Sequence, residues 1–84
     1  ISSVDNQDYN LTIYPNPATN HLIINGDLSN FSELVITDNL GKVVLSEVIN
    51  KNSNSQKINI KSLAKGIYFI KIDDGKIIRK IVKQ

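Results

Sequence analysis

Few residues of this 84-residue chain have the types and spacing that chemistry requires. His21 is the single histidine, and a metal site built on it would need carboxylate ligands at spacings that the sequence does not show. It alternates with apolar neighbours, so we expect it to lie on the outer face of a strand. Asp73 and Asp74 could form a carboxylate pair or half of a calcium site, but the glycine that follows them favours a simple turn.

The rest of the sequence lacks the patterns that other active sites require. There is no cysteine, which excludes a disulfide framework, a thiolate metal site and a cysteine nucleophile. No nucleophile elbow is present, and the four glycines stand singly, so there is no glycine-rich phosphate loop. We therefore predict that the protein is not an enzyme and that it has no catalytic residue, no metal site and no cofactor.

The charged residues are divided unevenly along the chain. Residues 1–56 carry two lysines against six carboxylates, whereas residues 57–84 carry seven lysines and one arginine against two aspartates. Such a basic segment indicates either an anionic partner or the solvated face of edge strands, where lysine prevents edge-to-edge aggregation. Tyr68 and Phe69 lie among these lysines, but adjacent residues face opposite sides of a strand, so only one ring can lie on the basic face. We predict no nucleic-acid partner.

The last twenty residues supply the clearest element, a β-hairpin. An Asp-Asp-Gly sequence separates two runs rich in β-branched residues. An Asp-Gly pair in this position is a strong hairpin signal, because glycine accepts a positive φ without steric cost. Two registers remain open. A two-residue turn would pair Ile72 with Ile77, and a three-residue bulged turn would pair Ile70 with Ile78.

Five further strand-like segments precede the hairpin: residues 10–14, 21–25, 32–37, 42–49 and 57–60. Pro15, Asn16 and Pro17 form a stiff kink after the first of them, because each proline fixes its own φ and restricts the residue before it. Tyr68 lies just inside the sixth strand, where a tyrosine of immunoglobulin-like sandwiches bonds back to upstream backbone. Seven short strands without a helical period predict an all-β fold, an antiparallel immunoglobulin-like β-sandwich.

Four motifs occur in one order along the chain. They are residues 11–18 (LTIYPNPA), residues 38–42 (DNLGK), residues 63–68 (LAKGIY), and Gly75 followed by residues 80–83 (KIVK). The set resembles the C-terminal sorting domain of proteins exported by the type IX secretion system of Bacteroidota, the type A class of the Por secretion system family. The resemblance covers roughly residues 10–84.

This resemblance implies a function that composition and spacing do not supply. Such domains direct an upstream cargo protein through the outer-membrane translocon, and a sortase-like surface protease commonly removes them, in some cases joining the cargo to an anionic lipopolysaccharide. It implies translocon components and that protease as partners, no stable membrane insertion, and a path through the periplasm to the cell surface or the medium. The polar, acidic residues 1–9 are then expected to be the linker to the cargo, where the cut falls, and residues 10–84 the sorting domain.

The residues that match the family motifs are the candidates for recognition by the translocon: Pro15, Asn16, Pro17, Gly66, Tyr68, Gly75, Lys80 and Lys83. We expect the translocon to read a folded surface, with the terminal strand of the hairpin offering unpaired backbone for strand addition. The alternative role for the prolines, the glycines and the tyrosine is structural. The alternative function is a small immunoglobulin-like or fibronectin-like binding module of an adhesin or a carbohydrate-active enzyme, although five aromatic residues leave few for an exposed carbohydrate platform.

Overall fold

The computed structural model describes residues 10–84, and this part of the chain contains seven β-strands. Their bounds are β1 Thr12–Tyr14, β2 His21–Asn25, β3 Glu33–Asp38, β4 Val43–Val48, β5 Ser55–Asn59, β6 Gly66–Ile72 and β7 Ile77–Lys83. They form sheet A, in the order β1-β2-β5, and sheet B, in the order β4-β3-β6-β7. Every strand pair is antiparallel. The predicted all-β sandwich is confirmed.

The alternation of apolar and polar residues decides which side of each strand is buried. Leu22 and Ile24 of β2 are fully buried, whereas His21 lies on the outer face of sheet A, paired with Asn59. The core between the sheets is almost wholly aliphatic, and its aromatic members are Phe31, from a loop, and Tyr68. A small domain without disulfides depends for its stability on such burial.

The hairpin adopts one of the two predicted registers. Ile72 pairs with Ile77, which confirms the register of the two-residue turn. Asp74 and Gly75 occupy the centre of the turn with φ of 60° and 94°, and the Lys76 N–H donates to the Asp73 carbonyl at 3.4 Å. Consecutive positive φ values characterise the turns whose twist matches that of the paired strands.

The crossing from sheet A to sheet B ends at the predicted tyrosine corner. The chain leaves β5 in sheet A and enters β6 in sheet B. The hydroxyl of Tyr68, two residues into β6, donates to the Ala64 carbonyl at 2.6 Å, and the ring is buried in the core. The neighbouring Phe69 is half-buried and pairs with Lys80 on the outer face of sheet B. Only one of the two rings therefore lies on the basic face, as predicted.

The strand boundaries differ from the sequence-based ones by a few residues. The largest shifts are at the start of β1, which begins at Thr12, and at the start of β5, which begins at Ser55 and pairs with β2 along its whole length. The predicted linker, residues 1–9, lies outside the described residues. Within residues 10–84 there is no helix with the length and hydropathy that a bilayer crossing needs, and no group of three or more side chains that could hold a metal ion.

Candidate functional site

The segment between β1 and β2 lies against the outer edge of β7, the C-terminal strand. We call residues 15–18 the strap. The Ala18 N–H donates to the Val82 carbonyl at 2.8 Å, and the Gln84 N–H donates to the Ala18 carbonyl at 2.7 Å. These two bonds form a parallel bridge between Ala18 and Lys83. The strap is thus joined to β7 by backbone hydrogen bonds, although it is too short to be a strand.

The side chain of Asn16 extends this pairing by two more hydrogen bonds. Its Nδ2 donates to the Lys80 carbonyl at 3.0 Å, and its Oδ1 accepts the Val82 N–H at 3.0 Å. One side-chain amide therefore makes the two bonds that a peptide group of a neighbouring strand would make. The peptide bonds that precede the two prolines, Tyr14–Pro15 and Asn16–Pro17, are both cis. The prolines have no N–H to satisfy, so the asparagine amide is the polar group that the kink presents to β7.

These bonds correct one expectation. We expected the terminal strand of the hairpin, β7, to offer unpaired backbone for strand addition. Instead, the strap occupies the outward carbonyls of Lys80 and Val82 and the outward N–H groups of Val82 and Gln84. Because these groups already have partners, a second strand cannot add along residues 80–84 while the strap is in place.

A cleft of about 230 Å³ lies beside the strap, where the edges of the two sheets face each other. Apolar side chains from both sheets line it, among them Ile13 and Ile81, together with the polar side chains of Asn16, Arg79 and Lys80. Arg79 and Lys80 are exposed, as are Pro15 and Pro17. We call the strap, this cleft and the adjoining side of residues 79–84 the strap surface. It combines an apolar recess with two cationic groups.

Most of the predicted recognition residues meet at this end of the molecule. Pro15, Asn16 and Pro17 lie against β7 beside Lys80, and Gly66 pairs with Lys83 one strand further in. Gly66 has a φ of +154°, a conformation that residues with a side chain rarely adopt.

Two of the predicted residues do not belong to the strap surface. Tyr68 pairs with Ile81 but is buried, so its role is in the core and the corner. Gly75 lies in the turn at the opposite end of the hairpin.

Asp73, at that opposite end, has a structural role that its turn position did not reveal. Its Oδ1 accepts the Ser32 N–H and the Glu33 N–H, each at 3.0 Å, where β3 begins. Burial acts to raise the pKa of this carboxyl, but the two backbone hydrogen bonds and the nearby Lys76 and Lys51 lower it below its usual value. The carboxylate is therefore used to hold the turn against β3.

The other open side of the sandwich has an amide cap that was not predicted from the sequence. Gln56 of β5 donates from Nε2 to the Val48 carbonyl at 3.0 Å and accepts the Asn50 N–H through Oε1 at 2.8 Å. The Gln56 amide thus resembles that of Asn16: it forms hydrogen bonds with one backbone carbonyl and with the backbone N–H two residues later along the chain. Gln56 lies on the same side of β5 as the buried Ile58, but its polar side chain gave no indication of which backbone groups it would bond.

The family model described as "Secretion system C-terminal sorting domain" matches residues 12–84, which include all seven strands and the strap. No curated protein matches the chain.

Proposed function

Because the chain belongs to the secretion system C-terminal sorting domain family, whose members carry type IX export signals, we propose that the translocon reads the strap surface of the folded domain. The family itself implies export to the cell surface or secretion, and it is not an enzyme family. What remains to be proposed is the surface that is read, the path of the cargo and its release.

The pair of hydrogen bonds between Asn16 and β7 is the observation that carries this proposal. It joins a motif near the start of the matched segment to the last strand, across 64 and 66 positions of sequence. The resulting surface exists only when the domain is folded, so reading it would distinguish a folded cargo tail from a linear peptide. Lys80 and Arg79 add positive charge beside the cleft, which would attract an acidic partner surface.

The function itself is tested by fusing the 84-residue chain behind an export signal and a soluble reporter in a bacterium with a type IX system. We expect the reporter outside the cells. A reporter that stays in the periplasm while the fused domain resists protease would show that the chain is not a sorting signal.

The recognition surface is tested by charge reversal in the same fusion. Lys80→Glu, in the strap surface, is compared with Lys57→Glu, on the outer face of sheet A. Both side chains are exposed, so neither change should unfold the domain. We expect Lys80→Glu to reduce secretion at least several-fold and Lys57→Glu to leave it near the wild-type level. Equal secretion of the two variants would contradict the strap surface while leaving the sorting function intact.

We further propose that the cargo passes through the periplasm and that a sortase-like protease then cuts within residues 1–9, with transfer to an anionic lipopolysaccharide as one fate. The support is the family membership alone. Mass spectrometry of the secreted reporter would locate the new C-terminus. A reporter that still carries residues 10–84 in the medium would show that cleavage is not part of the pathway.

The competing function, a binding module of an adhesin or a carbohydrate-active enzyme, is separated from sorting by a glycan array or a cell-adhesion assay on the isolated chain. Among the described aromatic residues Tyr14 is the most exposed, at 45%. Tyr14→Ala should therefore abolish any glycan binding that the array detects, and it should leave secretion unchanged.

A further inference from the structure

The two outer faces of the sandwich differ in polarity. On sheet A the outward side chains of the strands are mostly polar or charged: Thr12, Tyr14, His21, Ile23, Asn25, Ser55, Lys57 and Asn59. On sheet B most of the outward side chains are apolar: Val35, Val43, Val48, Ile67, Phe69, Ile78 and Val82. A sheet face that water covers is ordinarily polar, so sheet A follows the rule and sheet B departs from it.

We call the outward side chains of β3, β4, β6 and β7 the sheet B face. Its apolar members adjoin one another across the strands. Val43 pairs with Thr37, which pairs with Phe69, and Ile67 pairs with Val82 in the adjoining row. Val43 is 54% exposed and Ile67 is 42% exposed. Single exposed apolar residues need no explanation, but a contiguous group of them marks an interaction site.

Two lysines stand among these apolar side chains. Lys71 lies between Val35 and Ile78, and Lys80 lies in the next row. Glu33, at the end of the sheet where the hairpin turns, is the one outward carboxylate on the four described strands. The sheet B face is therefore apolar with a net positive charge.

The position of the lysines decides what can cover the face. A second copy packed face to face would bring four lysines together with two carboxylates to pair them. A protein partner would bury Lys71 and Lys80 in the core of an interface, from which lysine is usually depleted, and each would need a carboxylate directly opposite. A bilayer surface has no such requirement. The flexible stem of lysine lets its ammonium group reach the phosphates while neighbouring apolar side chains enter the acyl region.

We propose that the sheet B face docks reversibly on a membrane surface rich in anionic phospholipid. Ile67, Phe69 and Ile78 enter the boundary between headgroups and acyl chains, and Lys71 and Lys80 bind the phosphates. The domain lies on the bilayer and does not cross it. This docking gives a role to the excess of lysine in the last third of the chain, and it does not depend on the sorting function.

The wild-type 84-residue chain tests the lipid requirement by co-sedimentation with vesicles. We expect it to bind vesicles of equimolar phosphatidylglycerol and phosphatidylcholine at least several-fold more tightly than vesicles of phosphatidylcholine alone. Binding should weaken as the ionic strength rises from about 0.05 M to about 0.5 M, because salt screens the lysines. Failure to bind the anionic vesicles at low salt would overturn the proposal. Equally tight binding to soluble polyglutamate or to DNA would also overturn it, because the partner would then be an acidic macromolecule.

A single tryptophan tests which face meets the bilayer. The chain has no tryptophan, so one introduced residue reports its own surroundings. Ile78→Trp places it on the sheet B face, and Tyr14→Trp places it on the outer face of sheet A; the two original side chains are 51% and 45% exposed. With anionic vesicles we expect Ile78→Trp emission to shift to the blue and to be quenched by brominated phospholipid. Tyr14→Trp emission should not change, and an equal response from both variants would overturn the proposal.

A matched pair of charge reversals tests the lysines without altering the strap surface. Lys71→Glu lies on the sheet B face and Lys57→Glu on the outer face of sheet A, and the two variants have the same net charge. We expect Lys71→Glu to weaken binding to the anionic vesicles several-fold more than Lys57→Glu, with circular dichroism confirming that both are folded. Equal weakening would show that only the net charge matters and would overturn the assigned face.

Discussion

On each of the two edges of sheet B, a side-chain amide bonds outward-facing backbone groups along the edge strand. More of the backbone is covered on β7 than on β4. On the β7 side, Asn16 bonds a carbonyl and the N–H two residues later, and the backbone of Ala18 continues the pairing to Gln84. On the β4 side, Gln56 makes the equivalent two bonds, and no backbone pairing follows among the described residues.

The difference shows how one domain can treat its two edges differently. An amide side chain satisfies two backbone groups, but it covers little of the strand beyond them. In the strap, the backbone of Ala18 extends the cover along β7, whereas Gln56 projects from a regular strand and no backbone pairing follows it among the described residues. One edge is therefore closed along residues 80–84 and presents a shaped surface, whereas the amide cap of the other covers only the Val48 carbonyl and the Asn50 N–H.

The largest expected effect comes from truncating the core side chain of each edge strand. Ile81 of β7 is 2% exposed, whereas Leu45 of β4 is half-buried and packs at the margin of the core. We expect Ile81→Ala to lower the free energy of unfolding by about 3 kcal/mol, and Leu45→Ala by about half of that, because less apolar area is lost. Urea denaturation of the two variants measures both values. Equal losses would show that the two sides are equally well packed.

The next effect comes from removing the two amide caps themselves. Asn16→Ala removes the two side-chain bonds to the Lys80 carbonyl and the Val82 N–H, and with them part of what joins the strap to β7. Gln56→Ala removes two equivalent bonds at the end of β4, where no backbone pairing depends on them among the described residues. We expect costs of about 2 kcal/mol and about 1 kcal/mol respectively, by urea denaturation. Were Gln56→Ala the costlier change, the β4 side would be the better sealed of the two.

Much of this fold follows from the sequence, because its signals are local. The alternation around Leu22 and Ile24, the Asp-Gly turn and the position of Tyr68 each report on a few neighbouring residues, and the structure confirms all three. The type of sandwich follows from the number of such strands.

The side-chain bonds that cover the strand edges could not be predicted in the same way. The amide of Asn16 bonds residues more than sixty positions away, and Gln56 reads as an ordinary polar residue of a strand. No periodicity connects either residue to its partner. The carboxylate of Asp73 is a similar case: its turn was predicted, but its bonds to the start of β3 depend on how the hairpin lies against that strand.

A smaller and opposite effect is expected at Thr37, between β4 and β6 in sheet B. Thr37 is 3% exposed, and its Oγ1 has no hydrogen-bond partner within the described residues. Thr37→Val replaces the hydroxyl by a methyl group of similar size and removes the cost of the unpaired oxygen. We expect a gain of about 1 kcal/mol in the free energy of unfolding. A loss of stability would contradict this expectation and would indicate that the Thr37 hydroxyl forms a hydrogen bond in the folded state.

The smallest expected effect concerns the ionised carboxylate of Asp73, which holds the hairpin turn against the start of β3. The folded state lowers the pKa of Asp73 below its ordinary value of 3.8, against the opposing effect of burial, through the Ser32 and Glu33 N–H groups. A carboxyl with a lowered pKa contributes stability above its unfolded pKa and loses it as the pH falls through the folded pKa. We therefore expect the contribution of this group to the urea midpoint to be constant near neutral pH and to decrease as the pH falls below about 3.8.

Two variants separate this contribution from the rest of the acid response. Asp73→Asn cannot titrate, so its urea midpoint should depend less on pH below 3.8 than that of the wild-type chain. Asp27 provides the contrast, because the Ser29 hydroxyl and N–H lower its pKa within a single loop and hold no strand in place. Asp27→Asn should therefore leave the amide protons at the start of β3 as protected from exchange as in the wild type, whereas Asp73→Asn should lower the protection of the Ser32 and Glu33 amides, because a neutral amide oxygen is a weaker acceptor than a carboxylate. If both variants left these amides equally protected, the carboxylate of Asp73 would not hold the hairpin turn against β3. The amide caps of Asn16 and Gln56 would then be the side-chain groups that secure the edges of the sandwich.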